Sequence, residues 1–371
     1  MSDVTTVPNA TQAKPKVTHK LVSLCFLSLI LLGFVYGIYQ IFSQQLIAKG
    51  IAPWLNGTAE KQLDDKLMLP GYEQFQTWDA AWRYRLLGQL GPQVQQGCPG
   101  WLFYTDGLRS PIVDPLQALK QRVLLMQSLA ARLRTAGLEL LVVAVPDKSR
   151  ILYEKLCGLH RPPSTQAILH QWGQAVTAQH IPYVALVDVL ATNPTGNYYR
   201  TDVHMTQTGA AQAARAVATL ARPLVDGQGD TSYQITKATH PEQRVGDLLT
   251  LAGLADAPNG WRPPPDQYTP ETFSLADTGG GLLAEDSPIK VLLAGSSNSR
   301  RSNFAEQLSR DLGQPIWNLS RDGGKFADAL SNALENQADW PKSLKLIIWE
   351  MSEMSLYAPL TEGEKKSLEN L

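Results

Sequence analysis

The polar and apolar positions change rhythm along the chain. From Leu21 to Phe42 the run LVSLCFLSLILLGFVYGIYQIF is almost wholly apolar, and no charged residue occurs between Leu21 and Ala48. As a helix, about 20 such residues cross a hydrocarbon core of about 30 Å. Helix is required there because the backbone finds no water to bond. The run is long for the apolar part of a signal peptide and lacks a convincing small-x-small cleavage site, so residues 21–43 read as a membrane anchor. Lys14, Lys16 and Lys20 precede it, with Asp3 the only acid. The positive-inside rule then places residues 1–20 in the cytoplasm and the rest of the chain outside.

Beyond the anchor the rhythm becomes amphipathic. Residues 44–95 carry helical patterns such as TWDAAWRYRLLGQL (Thr77–Leu90) and read as a stalk leading into a domain at 96–371. GCPGWLFYTDGL (Gly97–Leu108) reads as a short strand followed by a hairpin-like break. Asp114-Pro115 starts a helix that stops at Gly137. LELLVVAV (Leu138–Val145) is too short for a second span and predicts a buried strand. A helix at Ser164–His180, a strand at Tyr183–Val189 and a helix at Thr206–Leu224 follow. Residues 225–288, rich in Pro, Gly, Asp and Thr, predict a long surface excursion with one short helix near VGDLLTLAGL. The alternation then resumes: strand Ile289–Gly295, a helix over RSNFAEQLSRDL, strand IWNLS, a helix over KFADALSNALENQ, and strand Leu344–Met351. Apolar strands alternating with amphipathic helices predict an α/β domain, its mostly parallel sheet covered on both faces.

Charge excludes one class of partner. With 33 basic against 34 acidic residues, and no Lys/Arg stripe, nothing draws nucleic acid. Of the three cysteines, Cys25 lies in the anchor, while Cys98 and Cys157 face a compartment in which a disulfide persists. A disulfide between them and two buried thiols are both open readings. No histidine sits at zinc-ligand spacing from either cysteine, and no metal or cofactor is expected.

The candidate chemistry gathers at two places. The strand Ile289–Gly295 ends in Gly-Ser-Ser, where a serine is carried on a turn before a helix whose N–H groups face an oxyanion. Serines also favour such turns simply as caps. A serine nucleophile needs a base, usually His oriented by a carboxylate. Among the six histidines only His204 has an acid at useful spacing, Asp202, in TDVHMTQTGA (Thr201–Ala210). Taken alone, Asp202 also reads as a helix cap and His204 as a surface residue.

Several stretches, in order, are similar to the alginate acetyltransferase family, the AlgJ/AlgX group of SGNH-hydrolase-like proteins. GCPGWLFYTDGL resembles its Gly-x-x-Gly-Trp-Leu-Phe-Tyr segment, and VPDKSRILYEKL (Val145–Leu156) its Val-Pro-Asp-Lys segment. YYRTDVHMTQTGA (Tyr198–Ala210) resembles the Asp-x-His segment and RVGDLLTLAGL the Gly-Asp-Leu helix. LLAGSSNSRRSNFAEQLSRDLG (Leu292–Gly313) resembles Gly-Asp/Thr-Ser-Phe/Tyr-Ser and its helix, and LKLIIWEMSE the closing strand. The resemblance spans roughly residues 95–357 and implies an SGNH-hydrolase-like three-layer sandwich. It assigns Ser297 as nucleophile, His204 as base and Asp202 as acid, in the order Asp, His, Ser that is a trait of this family. More weakly, it implies that Gly323 and Gly324 let backbone approach the reacting carbonyl, although a plain turn explains them equally. Arg321 is expected to touch substrate, Tyr199 to line the site beside Asp202, and Asp147 and Lys148 to be structural. The chain departs from the pattern at Met205, where Trp is usual, at Asn298, where Phe or Tyr makes the wall, and at Met354, where Arg is common.

The implied activity is transfer of an acetyl group, through Ser297, onto hydroxyls of a secreted polysaccharide in the bacterial periplasm. The implied partners are the polysaccharide acceptor, the inner membrane, a multi-pass membrane O-acyltransferase that supplies acetyl groups, and other exopolysaccharide synthesis or export subunits. The short tail after the last strand leaves no room for a carbohydrate-binding module, which favours the anchored AlgJ type. A polysaccharide acetyl esterase with the same residues, and a non-catalytic subunit of an export complex, are the alternatives.

Overall fold

The computed structural model describes residues 16–43, 50–66, 71–276 and 288–370. Most of the expected cytoplasmic tail and residues 277–287 of the expected excursion lie outside them. The chain divides into compact units at 1–76 and 77–371.

In the first unit, one helix runs over Lys16–Ser43. Its segment Lys20–Ser43, 24 residues of mean hydropathy 2.5, has the length and composition of a membrane span. It is apolar on all sides and none of that span is buried, consistent with a single-pass anchor.

The second unit is built on strands. Among the described residues these are β1 (Val94–Gln96), β2 (Leu102–Tyr104), β3 (Glu139–Val145), β4 (Tyr183–Ala185), β5 (Tyr233–Lys237), β6 (Glu242–Arg244), β7 (Asp266–Tyr268), β8 (Glu271–Leu275), β9 (Val291–Ala294), β10 (Ile316–Asn318) and β11 (Leu346–Ser352). Five make one sheet in the order β10-β9-β11-β3-β4, with every pairing parallel. Because strand residues alternate between faces, the central strands feed two cores. Leu141, Val143, Leu293 and Ile348 pack under the helices Gln207–Ala221 and Phe304–Leu312. Leu140, Val142, Ala294, Ile347 and Trp349 pack under Pro115–Thr135, Ile168–Thr177 and Asp328–Glu335. The result is a three-layer α/β sandwich.

Several expected elements take a different form. The strand expected over Tyr183–Val189 ends at Ala185, and Leu186–Ala191 is helical, with Leu186 and Leu190 buried at helical spacing. In Gly97–Leu108 a 3-10 turn, Thr105–Gly107, makes the expected break after the strand, while the hairpin itself lies before it, where β1 and β2 pair antiparallel. The 225–288 segment carries the expected helix, Asp247–Leu251, but also two nested antiparallel pairs, β5–β8 and β6–β7. Residues 77–95, expected as part of a stalk, pack within this unit through Ala81, Leu90 and Val94, against Leu248 and Leu249.

The open reading of the cysteines is resolved. Cys98 and Cys157 form a disulfide, with Cα atoms 5.0 Å apart and a sequence separation of 59. The bridge ties the β1–β2 turn to the loop after β3, where the Cys98 N–H also donates to the Lys155 carbonyl at 2.8 Å. Cross-linking a loop of this length restricts the unfolded chain most. Cys98→Ser with Cys157→Ser, or reductant, is therefore expected to lower unfolding free energy by about 2–4 kcal/mol in urea titrations.

Candidate active site

The nucleophile turn is built from below. β9 ends in Ala294, and Gly295 and Ser296 lead into a single 3-10 turn, Ser297–Ser299. A Cβ at Gly295 would meet the Glu350 carboxylate and the Ser299 hydroxyl, so only glycine lets the strand end so close to β11. Glu350, fully buried in β11, accepts from the Ser296 N–H at 2.6 Å, the Ser296 hydroxyl at 2.9 Å and the Ser299 hydroxyl at 2.8 Å. Burial pushes the Glu350 carboxyl up against the opposing pull of these donors. With the Ser296 and Ser299 hydroxyls thus spent on Glu350, Ser297 is the serine of this turn whose hydroxyl is left for the cavity.

The acid loop comes from the other half of the domain. His204 sits two residues before Thr206, the N-cap of the helix Gln207–Ala221, and the Thr206 side chain accepts from the Gly209 N–H. His204 Nε2 lies 2.8 Å from Ser297 Oγ, and Nδ1 lies 2.6 Å from Asp202 Oδ1. Asp202 is wholly buried, and Oδ1 also accepts the His204 N–H at 3.0 Å. Burial alone would raise the Asp202 carboxyl, but the His204 hydrogen bonds and the Arg244 charge outweigh it and hold the group well below the carboxylate range. The structure therefore brings Ser297, His204 and Asp202 into one chain of contacts beyond the carboxyl ends of the strands, where open parallel sheets place their ligands.

The loop is braced underneath by charges that local pattern does not reveal. Lys148 Nζ, buried at the end of β3, donates to the carbonyls of Leu102, Arg200 and Asp202 at 2.7, 2.9 and 2.9 Å. It lies over the rings of Trp101 and Phe103. Asp266 of β7 accepts from the backbone N–H groups of Arg200 and Thr201 at 3.0 and 2.8 Å. Asp147, beside Lys148, takes part in a separate buried network with Arg161, and its N–H donates to Glu353. Glu350 alone carried a signal in the sequence, as a charged residue inside the apolar strand LKLIIWEM, which burial must supply with donors. Arg244 and Asp266 lie on short polar strands with no such mark, and Asp247 reads only as an ordinary acid in the first turn of the expected short helix.

A cavity of about 660 Å³ opens at Ser297 and His204. Asn298, Gly323 and Gly324 line it, as do Ile112, Met354 and Leu360. The weaker site residues divide. Gly324 packs against the Gly295 carbonyl, which a Cβ would crowd, but its N–H closes a turn to the Arg321 carbonyl at 3.0 Å and is not free for an oxyanion. Arg321 is exposed and outside the lining, because its backbone N–H pairs with Gly295 and turns the side chain to solvent. Tyr199 is buried behind Asp202, under the Arg244 guanidinium at 4.8 Å, and does not line this cavity. Met205 is core, at 2% exposure. Asp202, His204 and Asp247 hold possible metal-ligand atoms within 4.8 Å of one another. Both nitrogens of His204 and both oxygens of Asp202 are already engaged, Oδ2 by the Arg244 guanidinium, so this grouping does not suit a metal.

This fold and its site edge define an SGNH-hydrolase-like protein. Residues 94–353 match the family described as SGNH hydrolase-like domain, acetyltransferase AlgX, and the chain belongs to that family. It is similar to the probable alginate O-acetylase AlgJ of Pseudomonas fluorescens, 29% identical over 284 residues, covering 75% of this chain and 72% of that protein. The probable alginate O-acetylase AlgJ of Azotobacter vinelandii is 29% identical over 287 residues, with 75% and 73% covered. Among solved structures, the O-acetyltransferase domain of Pseudomonas putida AlgJ shares the fold with a TM-score of 0.65 and 21% identity, over 76% of this chain and 100% of that one. Pseudomonas aeruginosa AlgX does so with a TM-score of 0.55 and 20% identity, over 71% and 62%.

The Lys148 brace has a measurable pH signature. Burial pushes its ammonium down to about 7, against the pull of Asp266, Asp202 and Asp147. From there to the ordinary lysine range the unfolded chain binds one proton more than the folded chain, so this residue's contribution to stability rises with pH. Compared with Lys148→Met, the wild type is expected to gain about 1–2 kcal/mol of unfolding free energy between about pH 7 and about pH 9. Parallel pH dependences in urea titrations of the two proteins would exclude this account.

Proposed function

We propose that this protein is a serine-dependent O-acetyltransferase acting on hydroxyls of an alginate-type exopolysaccharide in the periplasm. The observation that carries the reading is the contact chain Ser297–His204–Asp202, at 2.8 and 2.6 Å, opening into the cavity. The names of its relatives suggest the acetyl group and the polymer class, and the apolar helix Lys20–Ser43, preceded by lysines, favours a domain held outside the membrane.

With Nδ1–H donating to Asp202, the Nε2 lone pair of His204 faces the Ser297 hydroxyl. The serine proton passes to Nε2 as Oγ bonds to the acetyl carbonyl carbon. The imidazolium so formed lies against the Asp202 carboxylate. The tetrahedral oxyanion is met by the Ser297 N–H, for which no acceptor is found among the described residues, at the start of the 3-10 turn. Collapse expels the donor's oxygen, which takes the proton from His204, and leaves acetyl-Ser297. A sugar hydroxyl then gives its proton to His204 and attacks the acetyl carbon, and collapse returns the proton to Ser297. Water in place of the sugar makes the same steps an esterase reaction, so transfer depends on the acceptor filling the cavity mouth.

The acetyl donor in the cell is read as a multi-pass membrane O-acyltransferase, with other synthesis and export subunits nearby, because the helix Lys20–Ser43 would hold the domain at the membrane face. The test uses the full chain with a chromogenic acetyl ester, with and without polymer. Wild type is expected to form an acetylated Ser297 peptide by mass spectrometry and to pass the label to the polymer. Ser297→Ala and His204→Ala are expected to lose at least about 10³-fold in rate. Release of acetate alone would make the protein an esterase. Unchanged polymer acetylation in cells carrying Ser297→Ala would make it a non-catalytic subunit.

A further inference from the structure

The segment 225–288 reads in the sequence as a surface excursion, yet it returns charged side chains to the back of the acid loop. Arg244, the last residue of β6, donates to Asp202 Oδ2 from Nε at 3.0 Å and from Nη2 at 2.7 Å. His204 uses the other oxygen, Oδ1. The guanidinium is itself held over the Tyr199 ring, 4.8 Å from its centre. Two residues on, a Cβ at Gly246 would collide with the Thr201 carbonyl, and the Leu248 N–H donates to that same carbonyl at 3.1 Å. The chain carrying Arg244 is therefore pinned to the loop it braces.

We propose that Arg244 is a positioning residue of this site, gripping Asp202 by the oxygen that His204 leaves free and opposing a positive charge on the imidazole. The proposal rests on the acyl-transfer reading above. A planar fork on one carboxylate oxygen, with His204 on the other, leaves the acid no rotational freedom. A cation behind the carboxylate also weakens the field that would hold a positive imidazole, and repels that charge directly. Other charges face His204. Asp247 Oδ2, from the helix after β6, lies 3.3 Å from Nδ1 and acts in the opposite sense. Glu350 lies beneath the nucleophile turn, Lys148 beneath the acid loop, and Asp266 with Arg200 on its flank. Of these, Arg244 is the cation whose side chain touches the Asp202 carboxylate.

The test is the pH dependence of kcat/KM for a chromogenic acetyl ester, measured on the full chain from about pH 5 to about pH 9. Arg244→Gln is expected to lower kcat about 10- to 100-fold with little change in KM, and to move the acid limb up by about one pH unit. Asp247→Asn is expected to move that limb down. Arg244→Lys keeps the charge but loses the fork, so its limb stays near the wild-type position at a reduced rate. Added guanidinium is expected to restore Arg244→Ala in part, which a misfolded variant would not allow. A wild-type rate and limb in Arg244→Gln would overturn the proposal, as would a slower enzyme with an unmoved limb and no rescue. Full activity in Ser297→Ala is a different result, which removes the acyl-transfer reading itself.

Discussion

A carboxylate with no access to water governs the arrangement of this domain. Asp202 is wholly buried, and an ionised group in such a place is tolerated only when both oxygens are hydrogen-bonded and a positive charge is near. Oδ1 takes the backbone and ring N–H groups of His204, and Oδ2 takes Arg244. Each partner imposes a further condition. His204 must stand where its second nitrogen meets Ser297, and Arg244 must be delivered by a segment that leaves the sheet after residue 225 and comes back. The same burial extends to the loop's backbone, whose carbonyls converge on Lys148 and whose N–H groups turn to Asp266.

The nucleophile is governed by a second buried carboxylate with the opposite balance. Glu350 has three donors from the Ser296–Ser299 turn and, among the described residues, no cation paired with it, and burial raises it where partners hold Asp202 down. One acid is thus kept charged beside the imidazole, while the other serves as a bracket. Two carboxyl groups in one small site take different roles because their neighbours differ, which is the usual way one fold separates such functions.

The sheet and its order of elements were legible because they follow from period. LELLVVAV, IKVLLAG and LKLIIWEM are continuous apolar runs, and such runs between amphipathic helices have few architectures open to them. The meeting of Asp202, His204 and Ser297 was legible through the resemblance of their short segments to the family pattern, since taken alone each also reads as a cap or a surface residue. What escaped was held by long-range partners. β5 to β8 are short and half-exposed, so they carry no alternation strong enough to read. Arg244 and Asp266 are ordinary polar residues until the fold brings them to the acid loop. Arg321 and Tyr199 were drawn toward the site by nearness in sequence, and each is turned away by a local bond or ring contact.

Carrying acid and base on one short loop has a structural consequence. Their mutual geometry is local, whereas the nucleophile is 93 residues from His204, so the alignment of the site depends on the joint between the two halves. That joint lies just past the nucleophile turn. The Ser302 hydroxyl donates to the Met205 carbonyl at 2.6 Å, and Gln207 Nε2 donates to Asn303 Oδ1 at 3.2 Å. Ser302 and Asn303 both adopt left-handed backbone, with φ of 55° and 59°, immediately before the helix Phe304–Leu312. Two consecutive non-glycine residues in that region cost about 1 kcal/mol or more each, and such strain persists only where the surroundings over-determine it. Here the surroundings are the two hydrogen bonds to the acid-loop side and the packing of Phe304, at 1% exposure, under the helix Gln207–Ala221. The strained pair reverses the chain so that one side chain reaches back to the residue after His204 while the next begins the helix. A relaxed turn at this point would free the backbone but would unfasten Ser297 from the imidazole.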